Sequence, residues 1–176
     1  MAPATRGCYH HSMRAILPIL AAAVALSACS PKFNWRDYRS SDAPYAVLFP
    51  AKPSLQTRAV DLDGQQVRMT MAAAEIDGTM FAVGSAELAD AARAQAAVDA
   101  MKTAMLRNIG STTATEKARD GEMDVEAHGA SSGRALQLHG RFLARGKHVF
   151  QAVVIGPDQG VDAEQVDMFL RSLKVN

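Results

Sequence analysis

Four dipeptides cut the chain at intervals: Asp63-Gly64, Asp77-Gly78, Asp120-Gly121 and Arg145-Gly146. Each separates stretches of strand-like residues, and such pairs are the commonest short hairpin signal because they accept the backbone conformations a two-residue turn needs. A chain punctuated this way is expected to fold as antiparallel hairpins. Between the turns, Val67, Met69, Met71 and Ala73 alternate with Arg68 and Thr70, which puts the first set on the buried face of a half-exposed strand. Met80 to Ala86 should pair back across Asp77-Gly78. Ala135 to Ala144 and Lys147 to Ile155 form a second hairpin. In its last strand Val149, Val153 and Ile155 share one face, while Phe150, Ala152 and Val154 share the other. A strand apolar on both sides belongs in the middle of a sheet. Shorter strands are expected at 45–49, 55–61, 112–119 and 122–128.

Two helices interrupt this pattern. From Ala89 to Ile109, Ala94, Val98, Met101 and Met105 make one apolar stripe, with Asp90, Arg93, Asp99 and Lys102 outside it and Gly110 as a stop. A second helix is expected from Ala163 to Leu173. Asp162 is its N-cap, Gln165 completes a capping-box-like start, and Val166, Phe169, Leu170 and Leu173 repeat at helical spacing. The expected fold class is α+β: an antiparallel sheet of hairpins covered by a long crossover helix and a C-terminal helix.

Ahead of this domain lies a segment of a different kind. Ala15 to Ala25 is almost wholly apolar and follows Arg14, the charged and hydrophobic regions of a secretory signal. Its length is too short for a membrane span, which takes roughly 20 residues as a helix. Leu26-Ser27-Ala28-Cys29 then resembles the lipobox of bacterial lipoproteins. That resemblance implies diacylglycerol on Cys29, cleavage after Ala28, and acylation of the new amino group. Ser30 stands where an Asp would imply retention at the inner membrane, so the resemblance implies the periplasmic face of the outer membrane. Residues 1–28 are therefore expected as a signal peptide, residues 29–44 as a lipidated tether and residues 45–176 as one domain. Met13 begins a compact signal by itself, so Met1 and Met13 are both candidate starts, with the polar His10-His11-Ser12 ahead of the second.

Charge and cysteine content exclude several classes. Arg6 and Arg14 leave with the first 28 residues, taking the 19 basic residues to 17 against 18 acidic ones. That balance argues against nucleic acid as a partner. With Cys8 discarded and Cys29 lipidated, the domain has no thiol for a disulfide or a thiolate metal site. The 148 residues that remain of 176 are enough for one domain with its own core.

The stretch expected as a tether holds Phe33, Trp35, Tyr38, Tyr45 and Phe49 among Arg36, Asp37 and Arg39. A tether needs no aromatic residues. Phe33, Trp35, Arg36 and Tyr38 are candidates for docking an envelope protein or a glycan, since Trp, Tyr and Arg anchor binding surfaces. The competing reading folds the segment back over the sheet, which is how ordered termini are held.

The order of hairpins, long helix, hairpins and closing helix resembles the α/β/α sandwich of the extrinsic photosystem subunit PsbP and its bacterial relatives. The residues carrying it are Phe49-Pro50 with Pro53, Gly156-Pro157, and Phe169-Leu170-Arg171-Ser172-Leu173. It covers residues 45–176. Phe33-Asn34-Trp35-Arg36 also resembles a segment of small proteobacterial lipoproteins. Neither resemblance brings a functional residue with it, because no position here matches a functional motif of the family.

Several motifs of chemistry fail in context. Gly129-Ala130-Ser131-Ser132-Gly133 fits the G-x-S-x-G nucleophile elbow, which needs a strand before it and a helix after it. The following residues alternate as a strand, and no acid lies between Ser131 and the last histidine, His148, so a flexible loop is expected. Gly140 to Lys147 lacks the spacing of a phosphate loop and carries His148 where a hydroxyl should hold magnesium. Asp61-Leu62-Asp63-Gly64 opens like a calcium loop, but its glycine comes too early and Ala72 stands where Glu should close it. His128, His139 and His148 come from three strands without short ligand spacing. Met69, Met71, Met80, Met101 and Met105 carry soft thioethers that favour Cu(I), yet their periodicity is that of core filler. No cofactor or metal is expected. The chain reads as a lipid-anchored, non-catalytic binding or assembly accessory, partnered with the membrane through Cys29. A small hydrolase using Ser131 and a carrier of an apolar ligand are the alternatives.

Overall fold

The structure, a computed structural model, describes residues 32–176. The signal peptide at 1–28, the start at Met13 and lipidation at Cys29 lie outside the described residues. From the N-terminus run β1 (Arg36–Arg39), β2 (Tyr45–Phe49), β3 (Ser54–Leu62), β4 (Gln65–Ile76) and β5 (Thr79–Glu87). Then come α1 (Ala91–Asn108), β6 (Ala114–Arg119), β7 (Glu122–Ser131), β8 (Arg134–Arg145), β9 (His148–Pro157), α2 (Ala163–Ser172) and β10 (Lys174–Val175).

Seven strands form one antiparallel sheet in the order β3-β4-β5-β9-β8-β7-β6. Three of its hairpins turn on the Asp-Gly dipeptides that punctuate the sequence. Asp63, Asp77 and Asp120 have φ of 55°, 48° and 47°, each followed by a glycine with positive φ. Both central residues are thus left-handed, the geometry whose twist matches that of the flanking strands. Gly146 (φ 54°) turns the β8–β9 hairpin. β9 occupies the middle of the sheet, with Val149 and Val153 in the core on one face and Phe150, Ala152 and Val154 in the core on the other. The crossover helix α1 carries the chain from β5 to the far edge at β6, and packs on β8 and β9 as it goes. Ala94, Ala97, Val98, Met101 and Met105 are its buried residues. Asp90 caps its start by accepting from Arg93 N at 2.9 Å, so the helix begins two residues later than its apolar stripe predicts. Gly110 N donates to Arg107 O and Ser111 N to Leu106 O, the paired bonds that close a helix at a left-handed glycine.

The opposite face is covered by α2 together with a second sheet, ordered β1-β2-β10. The two helices therefore pack on different faces of the seven-stranded sheet. This arrangement corrects the tether expectation over the described residues: Arg36–Arg39 form a strand paired with Ala46–Phe49, and Asn34 N donates to Pro50 O at 2.8 Å. The physical reason is aromatic. Phe33 and Trp35 stack with centroids 6.0 Å apart, and each meets the Phe81 ring edge-on, at 6.4 and 6.0 Å. Left in water, these rings would forfeit their burial. The capping box of α2 is also corrected. Asp162 accepts from Glu164 N, but Gln165 Oε1 is buried without a partner among the described residues instead of reaching back to the cap.

Candidate functional site

Three concavities among the described residues are large enough to consider as sites. The most polar, about 280 Å³, opens beside the bend at Asp42 and Ala43, where the smaller sheet stops covering the larger one. The register of β3, β4 and β5 brings Thr57 opposite Thr70 and Thr70 opposite Ser85, so three hydroxyls from sequence positions far apart form one row across its floor. Thr57 and Thr70 share a hydrogen bond of 2.9 Å, and Ser85 is buried. Arg68, Glu87 and His148 complete the walls. Lys147 donates to Glu87 at 2.6 Å and holds that carboxyl below its usual pKa. The His148 ring stacks on Phe150 at 6.1 Å, so an apolar flank lies beneath a polar rim. Donors, acceptors and a ring edge in one open recess can bind a hydroxyl-rich ligand.

A second cleft, about 230 Å³, runs between α2 and the β7–β8 hairpin. Arg141 lies at its base, with its side chain 13% exposed. Nε and Nη2 donate to the two carboxylate oxygens of Asp124 at 2.7 and 3.1 Å, and Nη1 donates to Leu170 O at 3.2 Å. The hydrogen bonds to Asp124 raise the arginine's pKa further. His139 lies beside it, its pKa lowered by burial and only partly restored by Glu126. Because Arg141 is committed to holding α2 on the sheet, this cleft has a structural task already.

The third recess, about 150 Å³, lies between α1 and the β3–β4 hairpin and is lined by Met69, Met71, Met101, Met105 and Gln151. It gives the carrier reading a cavity, but one of about the volume that admits benzene.

The sequence candidates fare unequally. Phe33, Trp35 and Tyr38 are half-buried against the α2-side core, with Tyr38 edge-on to Phe49 at 5.5 Å, while Arg36 is exposed. Ser131 is the last residue of β7 and pairs with Arg134 across a turn made by Ser132 (φ 50°) and Gly133 (φ 76°). The expected flexible loop is thus a two-residue hairpin turn, and a strand, not a helix, follows it. Gly129 has its own structural reason: a Cβ there would lie 2.0 Å from Ile109 O. His128 Nδ1 lies 2.9 Å from Asp158 Oδ1, and among the described residues no group of three His, Cys, Asp or Glu side chains could hold a metal ion. Thr57, Thr70 and Ser85 were invisible as a set in the sequence, since only the strand register brings them together.

No family model and no curated protein matches the chain. Among solved structures it is similar to the cyanobacterial PsbP, CyanoP, of Synechocystis sp. PCC 6803, determined in solution. The TM-score is 0.45 with 13% identity, over 85% of this chain and 96% of that one. The described residues form an α+β fold of mainly antiparallel strands with two helices.

Proposed function

We propose that the protein is a lipid-anchored envelope accessory that binds a hydroxyl-rich partner, a glycan of the envelope, without catalysing a reaction on it. The observation carrying this reading is the polar recess: Thr57, Thr70 and Ser85 in one row, walled by Arg68, Glu87 and His148. The α/β/α sandwich of the PsbP kind belongs to the same reading, supported by α1 and α2 on opposite faces of the sheet. Anchoring rests on Leu26-Ser27-Ala28-Cys29. Two or three acyl chains hold such a domain firmly, where one holds only marginally.

The test has two parts. Membrane fractionation with intact mass should find the full chain acylated in the outer membrane and the Cys29→Ser variant unacylated in the soluble fraction; an unacylated parent protein overturns the anchoring. Binding is read with disaccharide fragments released from the host's cell wall, added to the full chain and to Arg68→Ala and Thr70→Val. Saturable binding weakened at least tenfold by either substitution supports the recess as the site. Equal binding by all three, or none by the parent, overturns it.

A further inference from the structure

We propose that the recess between α1 and the β3–β4 hairpin is a site for a soft monovalent metal ion, Cu(I), held by the thioethers of Met69, Met71, Met101 and Met105. Two strand residues and two helix residues deliver four thioether side chains to one cavity of about 150 Å³. Periodicity explains why each is buried, but not why four of the residues around a single opening are methionine. Leucine fills comparable volume and specifies a core better.

Two features of the walls separate this place from plain packing. Gly84 stands under Met71, where a Cβ would come within 2.6 Å of Sδ, so the absence of a side chain there makes room for the sulfur. Gln151 is 4% exposed in the middle of the sheet, and its side-chain hydrogen bond among the described residues is the 3.7 Å contact from Nε2 to Met71 Sδ. Its amide oxygen, a further neutral donor to a cation, belongs to a side chain that lines the same recess. Gln151 thus sets a polar amide among the sulfurs on the wall of the recess.

The donor set selects the ion. Neutral thioethers are soft and favour Cu(I), whereas magnesium and calcium require oxygen cages and zinc prefers thiolate, imidazole and carboxylate. Methionine side chains are unbranched and rotate readily, so they can reorient toward an ion in the recess. The recess opens past Arg58 and Asn108, while the Asp61 carboxylate is turned away into the hairpin turn, accepting from Gly64 N and Gln66 Nε2. The step is binding alone, with no change in the oxidation state of metal or sulfur.

The experiment uses the full chain carrying Cys8→Ser and Cys29→Ser, purified in detergent, so that thiols do not compete. Ag(I), and Cu(I) under ascorbate in competition with bicinchoninate, are titrated against it while the methionine ε-methyl signals are followed by NMR. The expected result is one ion per chain, with shifts at Met69, Met71, Met101 and Met105 and none at Met80, Met123 or Met168. The Met71→Leu/Met105→Leu variant should bind at least tenfold more weakly, and Met80→Leu/Met168→Leu should bind as the parent does. Shifts confined to exposed Met168, absence of one-to-one binding, or equal affinity in the two double variants would overturn the proposal. If the recess variant does not fold, the methyl shifts of the parent decide the matter.

Discussion

Arg141 holds both carboxylate oxygens of Asp124, at 2.7 and 3.1 Å, and through its remaining nitrogen reaches the Leu170 carbonyl on α2. One guanidinium therefore joins β7, β8 and the closing helix. Arg141→Ala should destabilise the protein by about 2 kcal/mol, because it strands a half-buried carboxylate and a helix carbonyl. Asp124→Leu combined with Arg141→Met should cost less than Arg141→Ala alone. Chemical denaturation of the three variants measures this, and a double variant worse than the single one would contradict it.

Gly129 is the place where β7 passes under the end of α1. Ala130 N donates to Ile109 O at 2.7 Å, and a Cβ on residue 129 would lie 2.0 Å from that same oxygen. Gly129→Ala should cost about 3 kcal/mol by forcing the helix end away. Ser131→Ala, two residues on and exposed, should change stability by no more than about 0.5 kcal/mol. Equal melting temperatures for the two variants would refute the steric argument.

Tyr45 is 3% exposed, and its hydroxyl lies near Ser40 and Tyr38 but makes no well-formed hydrogen bond among the described residues, while burial pushes its pKa well above the usual tyrosine value. Tyr45→Phe keeps the ring contacts with Tyr38 and Phe150 and removes the unpaired oxygen. Stability should rise by about 1 kcal/mol, or about 3 °C in melting temperature for a domain of this size. A fall in melting temperature would show that the hydroxyl is paired in solution.

His139 prefers the neutral form in the folded state, since burial lowers its pKa more than Glu126 raises it. In the unfolded chain a histidine titrates near pH 6.5. Above that value both states are neutral and the full stability is present. As pH falls below about 6.5, the unfolded chain takes up the proton first, so stability declines until the lower folded-state pKa is passed. Melting curves between pH 7.5 and 5 should show this decline, and His139→Asn should flatten it. An unchanged slope in the variant would assign the effect elsewhere.

Trp35 stacks on Phe33 and meets Phe81 edge-on. Trp35→Ala should cost about 2 kcal/mol, less than a fully buried tryptophan would because the ring is half-buried. Arg36→Ala, on the exposed side of the same strand, should be neutral within about 0.5 kcal/mol. A Trp35→Ala variant of unchanged stability would return these aromatics to the role of partner anchors.

Much of the large sheet is legible in the sequence because its determinants are local. An aspartate followed by glycine accepts the left-handed turn, alternation marks which face is buried, and the two-sided apolar pattern of 149–155 places β9 centrally. Gly110 ends α1 for an equally local reason. β1 and β10 escape such a reading, since a strand of four exposed or half-exposed residues and one of two carry too little pattern, and both exist by pairing with β2. The row of Thr57, Thr70 and Ser85 depends on register between three strands. The convergence of Met69, Met71, Met101 and Met105 depends on where α1 crosses the sheet. Local backbone chemistry and period thus determined the elements and their faces. Which polar and sulfur side chains share a recess was decided by tertiary packing, because contacts between residues distant in the chain depend on strand register and helix placement, and no short window of sequence encodes either.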